Sequence, residues 1–225
     1  MTKIGWLLGM VLAAAHAKEP DPRTEIIVQL YNYAKAPKKE VRQAEVTVGW
    51  LFQKAGIHVH WVECPPLDLA RGADQVCQQA ADPRLFVLSI INWDSPRGSD
   101  SVLGFALLQG EANHAAAVYP RIKAVAENNP ARQDCGLLGS VLAHELGHLV
   151  FRSTQHGEGI MRPRWISGDY QLMTHRRLVF THEQARMLRK MLDLRIEQFE
   201  LSSRQIALST VESKGNDERL ESAER

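Results

Sequence analysis

Residues 141–151 read VLAHELGHLVF, and this segment constrains the fold more than any other part of the chain. Apart from His144, Glu145 and His148 it is apolar or glycine, so a helix built from it has no face fit for water and belongs inside a core. Residues four apart on a helix share a face, so both imidazoles point the same way. A buried pair of histidines needs partners for its ring nitrogens, and one metal ion reached by both provides them. Zinc suits the donors, because it accepts imidazole nitrogen, has no redox activity and lowers the pKa of a bound water towards 7. Glu145, directly after the first histidine, is placed to take that water's proton and pass it on to a leaving amine. With nine histidines among 225 residues, the same frame arises by chance in on the order of one chain in a hundred or fewer.

The rest of the chain supplies a setting for such a helix. Residues 24–33 alternate as a strand, with Ile26, Val28 and Leu30 on one side. Pro37 opens a helix in which Val41, Ala44, Val48, Leu51, Phe52 and Ala55 recur at helical spacing, and Gly56 stops it. A second strand is expected over 57–63, and a third, nearly all apolar, over 85–93, typical of a strand buried on both faces. Shorter strands follow at 102–109 and 115–119. Asp134 is placed to cap the helix over 137–151, an irregular Gly, Arg and Pro-containing loop runs to about Arg177, and Thr181 caps a last helix with Glu183 in its first turn. This order predicts an α+β domain with a mixed sheet.

A catalytic zinc site needs a third protein ligand. His156 is the candidate, eight residues past His148 in the segment HLVFRSTQHGEGIM. Glu158, Glu183, His175 and His182 are its rivals. Met161 follows closely, Tyr170 is set aside as too far along the chain, and Arg162 and Arg164 read as ordinary exposed arginines, the alternative being a lining that favours acidic groups. His58 and His60 share a strand face and read as solvated side chains.

These residues resemble the metzincin clan of zinc peptidases, whose pattern is HExxHxxGxxH followed by a turn with a Met beneath the zinc. HELGH at 144–148 matches the first part, His156 resembles the third ligand, and Gly159-Ile160-Met161 looks like the Met-turn. Two departures stand out: the third His arrives two residues late, and Phe151 occupies the position of the clan's Gly, so the turn after the helix must differ. Similar longer spacings occur in metzincin-like bacterial proteins in which HELGHLL is followed by a His and then GIM near a Trp, here Trp165. The resemblance implies a zincin-like fold with a twisted mixed β-sheet, an active-site helix and a C-terminal helix. It implies a zinc metalloendopeptidase acting on a protein or peptide substrate. It also implies that the strand at 102–109 forms the rim of a cleft, where Gly104 allows close backbone approach and an extended substrate can pair as an added strand. Two other readings stand beside it, a zinc-stabilised binding module without turnover and a gluzincin-like peptidase using Glu183.

The chain's first 17 residues carry Lys3, an apolar run from Ile4 to Ala15 and small residues around His16, the layout of a secretory signal with cleavage after Ala17. The run is shorter than the roughly 20 residues a bilayer crossing needs, so no stable membrane anchor is expected after cleavage, and a secreted or periplasmic location is. About seven residues then precede the first strand, too few for an inhibitory pro-segment. Residues 18–209 read as the catalytic domain and 210–225 as a polar tail. Lys and Arg number 27 against 26 Asp and Glu, with no basic stripe, so nothing argues for nucleic acid. In an oxidising compartment three cysteines give one bridge, expected between Cys64 and Cys77, with Cys135 left over.

Overall fold

The computed structural model describes residues 22–65, 77, 82–93, 102–108, 113–127 and 136–223, with side chains described as far as residue 207. Residues 1–17, read as a secretory signal, and Asp134 and Cys135 lie outside these residues. The elements are β1 (Glu25–Asn32), α1 (Lys38–Lys54), β2 (His58–Cys64), β3 (Leu85–Ile91), β4 (Gly104–Leu107), β5 (His114–Val118), α2 (Tyr119–Glu127), α3 (Leu137–Phe151), α4 (Ser167–Thr174) and α5 (His182–Ala223). The strands form one five-stranded sheet in the order β2-β1-β3-β5-β4. The first four of these neighbours run parallel, and β4 pairs antiparallel with β5, Gly104 opposite Ala117 and Leu107 opposite His114. The molecule is therefore an α+β domain with a mixed sheet.

The sheet's composition explains its order. β3 lies between β1 and β5, and Leu88, Ser89 and Ile90 in its middle are all buried, which accounts for its nearly continuous apolar run. Ile26, Val28 and Leu30 of β1, together with Phe86, Leu88 and Ile90, form a floor on which α1 and α3 pack. β5 contributes Ala115 and Ala117 to this core, and these small side chains let α3 lie close above it. Every residue of α3 from Leu137 to Val150 is buried. Each of its large apolar side chains contributes roughly 1.5–3 kcal/mol of burial, so the helix is fixed by the core rather than by its caps.

At its start α3 has Gly136 as N-cap, in the left-handed region (φ 68°), and glycine has no side chain with which to cap the first turn. At its end Phe151 remains helical and Arg152 takes the left-handed conformation (φ 51°, ψ 42°). The turn after the helix thus falls one residue past the position where the clan's pattern has Gly.

Two helices were not expected. α2 follows β5 directly, with Pro120 in its first turn and Ile122 buried. α4 lies inside the stretch read as irregular, where the Asp169 carboxylate accepts the Ile166 amide at 2.9 Å and so caps the first turn. Both are short, and neither carries enough apolar repeats to stand out. The strand expected over 102–109 is narrower, only Gly104–Leu107.

Thr181 and Gln184 cap α5 reciprocally, the Gln184 amide donating to Thr181 Oγ1 at 3.2 Å and the Thr181 amide to Gln184 Oε1 at 2.8 Å. Arg189 donates to Ala55 O and Arg195 to Pro83 O, and Arg195 also reaches Asn113 Oδ1 at 2.8 Å and covers the Phe86 ring. These contacts hold α5 to the body. Its backbone continues through 210–223, the stretch read as a polar tail, where no proline interrupts it. A disulfide joins Cys64 at the end of β2 to Cys77, Cα to Cα 5.9 Å. No helix among the described residues is long and apolar enough to cross a membrane.

Candidate metal centre

Both helix histidines are held by main-chain carbonyls. His144 Nδ1 donates to Ile160 O at 2.8 Å, and His148 Nδ1 donates to Ser153 O at 2.7 Å. A carbonyl only accepts, so each Nδ1 carries the proton and a neutral ring presents a bare lone pair at Nε2. Burial keeps the rings neutral. It pushes His144 down to about 4, the Ile160 bond opposing it only in part, and lowers His148 as well.

The two Nε2 atoms stand 3.0 Å apart. With neither protonated this contact is not a hydrogen bond but two lone pairs facing each other, an arrangement that a cation between them turns from repulsive to favourable. Nitrogens each about 2.0–2.1 Å from a tetrahedral zinc stand about 3.3 Å apart, close to what is seen. His156 completes the set, its ring 5.3 Å from that of His144 and 4.8 Å from that of His148. One ligand atom from each of the three histidines lies within 4.8 Å of the others, the only such group among the described residues. His144 and His148 are buried and His156 is exposed. The donors present therefore fit a zinc ion.

Glu183, at the start of α5, is exposed and stands outside that group. Glu158, His175 and His182 are likewise exposed and outside it. His58 and His60 are exposed on β2, where His60 lies 3.4 Å from Glu25.

The segment after α3 is shaped by two tight contacts. Gly159 has a positive φ of 59°, and a Cβ there would lie 2.3 Å from Val179 O, so only glycine fits. The short 3-10 turn Gly159–Met161 that follows is pinned by the Ile160 amide donating to Val179 O at 3.1 Å. It presents Ile160 O upward to His144. Met161, 2% exposed, packs beneath α3, and a Cβ on Gly147 would lie 2.8 Å from its sulfur. Trp165 donates from Nε1 to the same Ile160 O at 3.3 Å and meets the His144 ring edge to face, 5.7 Å between centroids. One carbonyl thus orients a histidine and anchors the wall beside it.

Glu145 is 7% exposed and makes no hydrogen bond with any described residue. Burial pushes its carboxyl up to about 8; a divalent cation on the neighbouring histidines acts in the opposite direction. Its place is set by the edge strand, since a Cβ on Gly104 would lie 2.8 Å from both Cγ and Oε1 of Glu145. Glu145, His144 and His156 open onto a cleft of about 430 Å³, bordered on one side by Val102, Leu103 and Gly104 and on the other by Arg162–Trp165. Tyr170 also lines it, because α4 turns the chain back; sequence spacing alone had set this residue aside. His156 lines a second cavity of about 550 Å³ with Met161, Glu183, Met187 and Met191.

No protein-family model matches the sequence, and no curated protein matches it. Among solved structures the chain is similar to the crystal structure of archaemetzincin from Methanopyrus kandleri, at 16% identity and a TM-score of 0.47, covering 75% of this chain and 96% of that one. A likeness this distant carries no residue-level inference, and the reading of the centre rests on the chain's own geometry.

Proposed function

We propose that the chain is an exported zinc metallopeptidase in which His144, His148 and His156 hold the metal and Glu145 moves the protons. The observation that carries this is a pair of buried, carbonyl-oriented imidazoles whose bare Nε2 atoms converge at 3.0 Å beside a buried carboxylate with no hydrogen-bond partner among the described residues. When bound, zinc supplies Lewis acidity and makes water nucleophilic near neutral pH. Glu145 accepts the water's proton and delivers it to the leaving amine, the role its place beside the histidines and on the cleft allows. No described residue bonds its oxygens, which leaves them for the reacting molecules. Met161 beneath α3 supports the Met-turn reading, since it fills the space that Gly147 leaves under the histidines. β4, the edge strand with Gly104 at its start, offers an open main-chain edge to an extended peptide.

A zinc-stabilised module without turnover has no use for a buried carboxylate at Glu145 that faces an open cleft and has no partner among the described residues, so hydrolysis is the better reading. Export rests on the layout of residues 1–17. The purified protein is expected to hold one zinc per chain by elemental analysis, to cleave an unfolded protein substrate, to lose that activity to a chelator and to regain it with zinc. Glu145→Gln should keep the metal and lose cleavage by about 10³-fold, within the range of a lost acid–base group. Equal cleavage by this variant, or a wild-type chain without zinc, would overturn the proposal.

A further inference from the structure

The cleft wall beside the triad carries two arginines in different situations. Arg162 Nη1 lies 3.0 Å from both carboxylate oxygens of Asp169, which is 4% exposed. Its charge is answered within the fold, and the pair ties the wall to α4. Arg164 is exposed and has no carboxylate partner among the described residues. It lines the same cleft as His144, Glu145 and His156, and its backbone neighbour Trp165 is anchored to Ile160 O and the His144 ring. The other described side of the cleft is apolar, with Leu103, Val125 and Val141, and Glu145 is the only carboxylate among its described lining residues.

Resting on the peptidase reading, we infer that Arg164 selects substrates with an acidic side chain, Glu or Asp, next to the bond that is cut. Such a side chain brings its carboxylate to the guanidinium in the wall that has no counter-charge among the described residues, while the facing apolar side offers no competing charge. A Lys or Arg at that position meets a like charge in the same place. Arg162, already paired, does not compete for the ligand.

The test uses three peptides that differ at one position, Glu, Leu or Lys, with a second set shifted by one residue so that both sides of the cut are sampled. Zinc-loaded full-length wild type should cleave the Glu peptide about 10-fold faster in kcat/KM than Leu, and Lys slowest, as a charge-assisted hydrogen bond at a partly exposed site allows. Arg164→Glu should invert the order of Glu and Lys. Calorimetric titration of zinc-loaded Glu145→Gln and of Glu145→Gln/Arg164→Glu with the same peptides gives the ranking without turnover. If wild type cleaves nothing, the peptidase reading fails, and the titration still decides Arg164. An order that puts Leu first, or one that Arg164→Glu leaves unchanged in both assays, overturns the inference.

Discussion

The centre is assembled from two stretches of chain that obey different rules. α3 is buried along its whole length and delivers His144, Glu145 and His148 from one helical face, so their relative positions follow from the helix itself. Residues 152–166 contain almost no regular structure beyond one 3-10 turn. There each group is placed by its own feature: Arg152 by a left-handed backbone, Gly159 by its fit against the distant Val179 O, Trp165 by its bond to Ile160 O. A rigid element can hold reactive groups at fixed separation, and an irregular one can aim them. The helix supplies two of the donors, and the loop supplies the third and decides which way they face.

That contrast can be broken in order of severity. The largest effect is expected from Glu145→Gln, about 10³-fold in cleavage with zinc retained, measured by kinetics alongside elemental analysis. His148→Ala should then reduce zinc affinity by more than 100-fold in competition titrations, because it removes a buried ligand from the rigid half. His156→Ala, on the exposed half, should cost less; an equal loss for both would mean that the loop is as fixed as the helix. Gly159→Ala forces a Cβ onto Val179 O at a positive φ, and a loss of about 2–3 kcal/mol in denaturant unfolding is expected. Trp165→Phe should be mildest, about 1 kcal/mol for the lost hydrogen bond to Ile160 O, with zinc affinity reduced by no more than 10-fold. A larger effect of Trp165→Phe on zinc than of His156→Ala would reverse the assignment of roles.

The legible part of the molecule follows the same division. β1, α1, β2, β3 and α3 have strong periodic or continuous apolar patterns, and the structure places each within a few residues of where the sequence does. The three histidines and Glu145 were visible as side-chain types at suitable spacing. What aims them was not, because Ile160 O and Ser153 O are main-chain groups and every residue has a carbonyl. Tyr170, set aside on its spacing along the chain, lines the cleft because α4, too short to declare itself, returns it there. Gly104 was noted for close approach to a substrate, whereas the structure adds a neighbour within the fold, the carboxylate of Glu145. Asp169 carried a readable signal, an acid three residues after the last non-helical position, and it would have revealed α4.

The bond from the Ile160 amide to Val179 O has a consequence for how the protein comes into being. The turn that aims His144 leans on a residue far downstream, and Gln184 adds a second tie to Glu158 O. A chain made from its N-terminus therefore presents both helix histidines before the residues that orient them have been synthesised. Until Val179 and Gln184 arrive, the nascent molecule has the donors of a metal site without its geometry, and α5 closes the centre as well as the fold.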